Sequence, residues 1–151
     1  MKLLSILILA VGLAFGAGCS TKIESLNKEQ ADKLADCIIS PIPNQKWVVL
    51  EDIKDNPEIL NAAVLEKFKK KYQIFNSRDD IPKKFIRESD IAASYTKGFI
   101  LKYRITLDSG DSVTVVSERY IAPLSIWGSE VKYKWDGKEW VITGILKMWG
   151  S

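Results

Sequence analysis

Histidine is absent from this chain of 151 residues, and cysteine occurs only twice. Without histidine the protein cannot form a Ser-His-Asp triad, a Cys-His pair, a histidine-ligated zinc site or a haem site with a histidine ligand. The sequence also lacks a P-loop, a GxSxG elbow, a CxxC pair and a calcium-binding loop. These absences favour a non-catalytic protein, and we expect neither a metal nor a cofactor.

A strong charge of either sign is missing as well. The chain has 22 lysines and arginines against 19 aspartates and glutamates, a net charge of +3 at pH 7. Such a small excess does not predict binding to nucleic acid.

No apolar run is long enough to span a membrane. The longest, Leu3–Phe15, follows the positive start Met1–Lys2 and is shorter than the ~20 residues that a membrane-spanning helix needs. This pattern is typical of a signal peptide, and the small residues that end at Gly18 and Cys19 resemble the lipobox of bacterial lipoproteins. The resemblance implies cleavage between Gly18 and Cys19 and lipid attachment to Cys19. An ordinary secretory signal with a chance cysteine is the alternative.

The signal divides the chain into three parts. Residues 1–18 form the predicted signal peptide, residues 19–25 the lipidated cysteine and a short tether, and residues 26–151 a single domain. The resemblance also places the protein at the cell envelope, anchored to the membrane through Cys19; Ser20 favours the outer membrane, facing the periplasm, in a Gram-negative organism. With Cys19 acylated, Cys37 has no partner within the chain, so we expect it to be a small buried side chain or to form an intermolecular disulfide.

Helical patterns dominate the first half of the domain. We predict a helix over 28–39 capped by Asn27, and a second helix whose cap is Asn56 or Asp55 and whose first residue is Pro57. A third short helix is predicted over about 82–89, with Phe85 and Ile86 facing inward. Residues 47–50 are predicted to form a short strand.

Alternating patterns dominate the second half. Residues 99–107 and 113–116 predict two strands joined by an odd-numbered loop, with Leu107 opposite Val113, Lys102 opposite Glu118 and Gly110 in a left-handed conformation. In the last hairpin, the dipeptide at 136–137 predicts a two-residue turn. That turn sets three predicted pairs: Lys134 with Glu139, Tyr133 with Trp140, and Val131 with Ile142. The expected fold is α+β, with two to three N-terminal helices packed on a four-stranded, mainly antiparallel C-terminal sheet.

The hairpin sequence at 133–142 (YKWDGKEWVI) is similar to the last hairpin of nuclear-transport-factor-like and SnoaL-like domains. A cystatin-like arrangement of a helix on a sheet fits almost as well. The first resemblance implies a curved sheet that encloses a pocket used for a small ligand, an enzyme site or dimerisation.

Three residues are candidates for lining such a pocket. The odd loop places Ser117 and Arg119 on the apolar face of their strand, with Tyr103 opposite Ser117. The alternative is that Arg119 extends its charged end into water. Glu118 and Glu130 are possible acids or bases, but no spacing singles out an acid-base pair.

A separate candidate is a group of lysines at the end of the second helix. Lys69, Lys70 and Lys71 are candidates for contact with anionic lipid, and a simple solvated helix face is the alternative.

These features lead to one main functional expectation and two alternatives. We expect a membrane-anchored lipoprotein of the cell envelope whose non-catalytic domain binds a protein partner or a small ligand, an immunity-type or assembly-type protein being one form. The first alternative is a histidine-free, SnoaL-like enzyme acting on a small molecule. The second is a structural protein that contacts lipid or the cell wall.

Overall fold

The computed structural model describes residues 25–39, 45–87, 94–95, 97–108, 111–122 and 125–151. Within these ranges the elements are, in chain order, α1 (Lys28–Ile38), β1 (Trp47–Glu51), α2 (Glu58–Lys69), β2 (Gln73–Phe75), β3 (Ile86–Arg87), β4 (Ser94–Tyr95), β5 (Gly98–Leu107), β6 (Ser112–Ala122), β7 (Ser125–Trp135) and β8 (Trp140–Gly150). The lipobox residues Gly18 and Cys19 lie outside the described ranges. None of the described helices is long and apolar enough to cross a bilayer.

The main sheet has six strands in the order β2-β1-β5-β6-β7-β8, so the predicted four-stranded, mainly antiparallel sheet is wrong. Strand β1 runs parallel to both of its neighbours, with Trp47 opposite Gly98 of β5 and opposite Gln73 of β2. A parallel neighbour needs a crossover, and α2 provides it between β1 and β2. In the described ranges two α-helices, the lower of the two numbers predicted, accompany this mixed sheet.

Both helices cover one face of the sheet and form the main core with it. Leu34 of α1 and Phe68 of α2 are buried against side chains of β5 such as Leu101. The first helix begins as predicted, because Asn27 accepts a hydrogen bond from the Gln30 backbone and the Gln30 side chain accepts one from Asn27. This reciprocal capping box satisfies two backbone donors that the first turn would leave unpaired.

The second helix begins differently from the prediction. Pro57 is the N-cap residue, and no side chain caps this end. The Asn56 amide instead donates to the Tyr103 carbonyl over 2.8 Å and accepts from the Ile105 backbone over 3.0 Å. Asn56 is therefore a link between the start of α2 and strand β5.

A second, smaller core lies on the other face of the sheet. Trp47, Val49 and Ile100 are buried there beneath a segment that contains Ile81 and Phe85. The predicted helix over 82–89 is wrong, because this segment consists of 3₁₀ turns at Arg78–Asp80 and Lys83–Phe85 followed by the short strand β3. Residues 88–89 lie outside the described ranges.

The predicted register between β5 and β6 is confirmed. Leu107 lies opposite Val113, Lys102 lies opposite Glu118, and Tyr103 lies opposite Ser117. Leu101 is buried and Leu107 is half-buried against the main core. Gly110 lies outside the described residues.

The predicted register of the last hairpin is wrong. Trp135 pairs with Trp140 and Val131 pairs with Ile145, so four residues form the turn. The Asp136 carboxylate accepts hydrogen bonds from the backbone of Lys138 and of Glu139, each over 2.8 Å, which stabilises the longer turn. Tyr133 and Trp140, predicted as a pair, nevertheless share a buried face, because adding two residues to a loop preserves which side chains lie on the same side.

Candidate functional site

A groove lies on the helix-facing side of the sheet, where β6, β7 and β8 extend beyond the helices. Its volume is about 850 Å³, and the end of α1 at Asp36–Ile38 forms one rim. The floor and the far wall are formed by residues of the three strands: Val115, Ser117, Arg119, Trp127, Ser129, Val131, Ile142 and Met148. The groove is therefore the part of this sheet face that the helices leave uncovered.

Arg119 is the cation of this groove. It lies opposite Trp127 of β7, and its Nη2 atom donates to the Ile38 carbonyl over 3.3 Å. None of the ion pairs formed in the described ranges includes Arg119. Burial lowers the pKa of its guanidinium from the ordinary value, as expected for a charge that is partly removed from water.

Ser117 lies beside Arg119 in the groove, but Tyr103 does not line it. The Ser117 hydroxyl lies 3.3 Å from that of Ser129 on the neighbouring strand. The Tyr103 ring is buried in the main core, and its hydroxyl donates to Asn61 Oδ1 over 2.6 Å. Burial raises the pKa of Tyr103, so this phenol stays protonated. The structure thus brings together two of the three candidate pocket residues.

Carboxylates are scarce around the groove. Asp36 is the acid that lines it, and its exposed side chain pairs with Lys67 over 2.6 Å. Glu118 is directed elsewhere and accepts a hydrogen bond from the Tyr120 hydroxyl over 2.9 Å. The described part of the groove therefore places no second carboxylate where the two could act as an acid-base pair.

The walls of the groove expose large apolar side chains. Trp127 is 61 % exposed, Ile142 55 % and Met148 71 %. Neither Met148 nor the exposure of Ile142 was predicted from the sequence, because the last hairpin was expected to pair as a regular half-buried sheet. The nearly unbroken apolar composition of residues 145–149 is the signal that could have indicated this surface.

Cys37 lies on the rim of the groove and is half-buried. Its Sγ atom lies 3.5 Å from the Lys33 carbonyl, and burial is the main cause that raises the pKa of the thiol. A protonated thiol is a poor nucleophile, so this environment gives Cys37 the character of a packing residue.

The three candidate lipid-contact lysines lie at the exposed end of α2. Lys70 pairs with Glu66 over 3.1 Å, one helical turn earlier, whereas Lys69 and Lys71 form none of the ion pairs found in the described residues. Exposed ion pairs of this kind contribute little to stability.

A charged network occupies the opposite face of the sheet. Arg78 donates two hydrogen bonds to Glu51, over 2.6 and 2.9 Å. Lys102 pairs with Asp52 over 2.6 Å although it lies opposite Glu118 in the sheet, as predicted. These contacts join β1 and β5 to the segment that covers this face.

No group of three or more potential metal ligands occurs among the residues described. Comparison of the chain with protein-family models, with curated proteins and with solved structures finds no match. The groove is therefore the feature of the described structure that bears on function.

Proposed function

We propose that this protein is a lipid-anchored protein of the cell envelope whose domain binds a small amphipathic acid in the groove without catalysing a reaction. The observation that carries the proposal is the position of Arg119, which lies unpaired by any described carboxylate within largely apolar walls. A volume of about 850 Å³ falls within the range of roughly 300–1,000 Å³ that is typical of small-molecule sites.

The ligand class follows from the chemistry of the walls. An apolar chain along Trp127, Ile142 and Met148 would remove exposed hydrocarbon from water. A carboxylate or phosphate beside Arg119 would provide the charge-assisted hydrogen bonds that a guanidinium favours. A binding role requires no acid-base pair, in keeping with the single, ion-paired Asp36 at the rim.

The experiment compares octanoate with octanol, which have the same chain length and differ in charge. The full chain is reconstituted in zwitterionic lipid nanodiscs, and tryptophan fluorescence is titrated against empty nanodiscs. We expect octanoate to bind at least about tenfold more tightly, because a hydrogen bond to a charged group contributes about 1.5–3 kcal/mol.

Two variants locate the charge preference. Arg119→Met should bring octanoate down to the affinity of octanol, whereas Arg104→Met, which alters an exposed arginine on the other face of β5, should leave the preference intact. Equal affinities for the two ligands in the unaltered protein, or equal effects of the two variants, would contradict the proposal.

A protein partner is the second candidate, favoured by the exposure of Trp127 and Met148 at the rim, since buried aromatic and methionine side chains are enriched in interfaces. Affinity purification from gently solubilised native membranes tests it. A stoichiometric partner whose capture is lost with Trp127→Ala, together with no octanoate binding, would favour this candidate over the small acid.

The membrane anchor is tested separately. Cys19→Ser should abolish acylation of the chain, measured as the mass of the purified intact protein. A variant that keeps the lipidated mass would refute attachment at Cys19.

A further inference from the structure

Strand β8 forms one border of the main sheet. It has eleven residues, and in the described ranges β7 is the strand that pairs with it, which leaves its outer side unpaired. The border strand at the opposite side, β2, has only three residues. A long, uncovered edge is the arrangement that proteins usually avoid, because its unpaired backbone groups accept another strand.

Large apolar side chains are exposed along β8 from Val141 to Met148. Val141, Ile142, Ile145, Leu146 and Met148 are 44–71 % exposed, and Lys147 is the single charged residue of the strand. A strand that borders water on one face normally alternates between apolar and polar residues, whereas a nearly continuous apolar run is typical of a strand covered on both faces. The composition of β8 is therefore unusual for a border strand whose side chains are exposed.

Two bulges in β8 give its helix-facing residues a symmetric spacing. Relative to the regular strand β7, one lies between Ile142 and Gly144 and the other between Ile145 and Lys147. The β8 residues that pair with the helix-facing residues of β7 are Trp140, Ile142, Ile145, Met148 and Gly150. Their spacings of two, three, three and two residues read the same from either end, with Ile145 at the centre.

This symmetry matches a two-fold axis, and we infer that two copies of the chain pair through antiparallel β8 strands centred on Ile145. The axis places Ile142 of one copy opposite Met148 of the other, on the same face of a continuous sheet. It also places the large side chain of Trp140 opposite Gly150. An isologous contact of this kind closes after two copies.

The charge of β8 agrees with this register. Antiparallel pairing about Ile145 places Lys147 opposite Thr143 of the second copy. A parallel pair in register would instead place the two Lys147 side chains opposite each other. Like charges directly opposite one another destabilise a sheet. The single lysine therefore selects against the parallel pair and permits the antiparallel one.

The exposed apolar area supports a dimer of modest affinity. In the proposed pair the five exposed side chains of β8 contact their cross-strand neighbours, while the faces of the sheet stay open, so the interface removes part of their exposed area from water. Stable interfaces bury roughly 800 Å² per partner, so an interface confined to one strand edge is small, which agrees with a dimer of modest affinity. The paired backbones lie at the edge of the sheet, and the interface adjoins the groove because Ile142 and Met148 line both.

Cysteine cross-linking tests the register in the full chain, in detergent and on a Cys37→Ser background. The paired Cα atoms of opposite residues lie about 4.5–5.5 Å apart, within the range that a disulfide spans. Ile145→Cys should therefore form a disulfide-linked dimer under mild oxidation at least about tenfold faster than Lys147→Cys, whose copies are separated along the strand. The parent without a strand cysteine controls for cross-linking elsewhere, and equal rates for the two variants would refute the register.

The mass of the particle in solution tests the interface without cross-linking. Light scattering with size exclusion should show a dimer. Leu146→Lys should raise its dissociation constant at least about tenfold, because it places a charged lysine where the two β8 strands meet. Ile59→Lys, on the exposed side of α2, is the matched control and should leave the dimer intact. A protein that stays monomeric at about 100 µM, or that responds equally to the two variants, would overturn the inference, whatever the octanoate titration shows.

Discussion

Replacement of Asn56 by alanine should destabilise this fold far more than its position in a loop suggests. Strand β1 pairs with β5 as far as Glu51 opposite Lys102, and the chain then leaves the sheet through Asp52, whose φ is +55°. Beyond that point the Asn56 amide takes the place of a backbone neighbour for β5, with one donated and one accepted hydrogen bond. The side chain thus continues the strand pairing after the strand itself has ended.

The magnitude follows from those two hydrogen bonds. Each contributes about 0.5–1.5 kcal/mol, and each buried backbone group left without a partner costs about 1–3 kcal/mol. Asn56 is 5 % exposed, so water does not readily replace it in the folded protein. We expect a loss of about 3 kcal/mol for Asn56→Ala, a large part of the 5–15 kcal/mol that is typical for a domain.

Urea unfolding followed by tryptophan fluorescence measures this loss. The matched control is Asn76→Ala, since Asn76 is exposed and its replacement should change the free energy of unfolding by less than about 0.5 kcal/mol. Asn56→Asp adds a second test, because a protonated carboxyl can both donate and accept whereas an ionised one cannot donate. The pKa of the aspartate introduced at position 56 should be raised in the folded protein, so this variant should lose stability as the pH rises from about 4 to 7. An Asn56→Ala variant as stable as the Asn76→Ala control would refute the role assigned to Asn56.

Three further outcomes are expected. Gly98→Ala should cost several kcal/mol in urea unfolding, because a Cβ at this position would lie 1.9 Å from the Trp47 ring; a loss below 1 kcal/mol would contradict this packing. Trp140→Phe should lose about 1–2 kcal/mol in the same assay, since the indole donates to a backbone carbonyl of α1 over 2.8 Å; an unchanged midpoint would show that this bond does not contribute. The hydrogen bonds from Arg78 lower the pKa of Glu51 below its ordinary value of 4.5, so their stabilisation is complete above that pH and is lost as the pH falls through the lowered pKa. Glu51→Gln should accordingly flatten the acid side of a plot of stability against pH, and an unaltered acid side would argue against the pair.

The register between β5 and β6 could be predicted because it depends on local information. Apolar residues alternate along both strands, and a slip by one residue would expose Leu101 and Leu107 together. That requirement does not depend on which other strands belong to the sheet. It was sufficient to place Ser117 and Arg119 on one face, where the structure forms the groove.

The parallel half of the sheet could not be obtained in this way. Trp47–Leu50 is a continuous apolar run without alternation, so the sequence shows a strand there but not which strands lie beside it. Strand β2 spans only Gln73–Phe75, too short for a periodic signal. Its pairing depends on where α2 returns the chain, which is a property of the tertiary fold.

The side chain of Asn56 shows a related limit of local patterns. An asparagine directly before Pro57 fits a helix cap, and the cap interpretation uses only neighbours in the sequence. The two backbone groups of β5 that bind it are 47 and 49 residues away. Once α2 lies on the sheet, those buried groups need a partner more than the first turn of the helix does, because water can still reach an exposed helix end.

The turn and the bulges of the last hairpin decide which of its side chains face the groove. The turn prediction was wrong by two residues, yet it kept every side chain near the turn on the correct face, because the error was even. The bulges further along β8 each add one residue and therefore change which residues face the helices, so that Ile145 and Met148 join Ile142 on the groove side. Without the first bulge, Ile145 would point to the opposite face. The apolar character of the uncovered groove and the two-fold spacing of the edge thus have the same structural origin, and Ile142 and Met148 contribute to both.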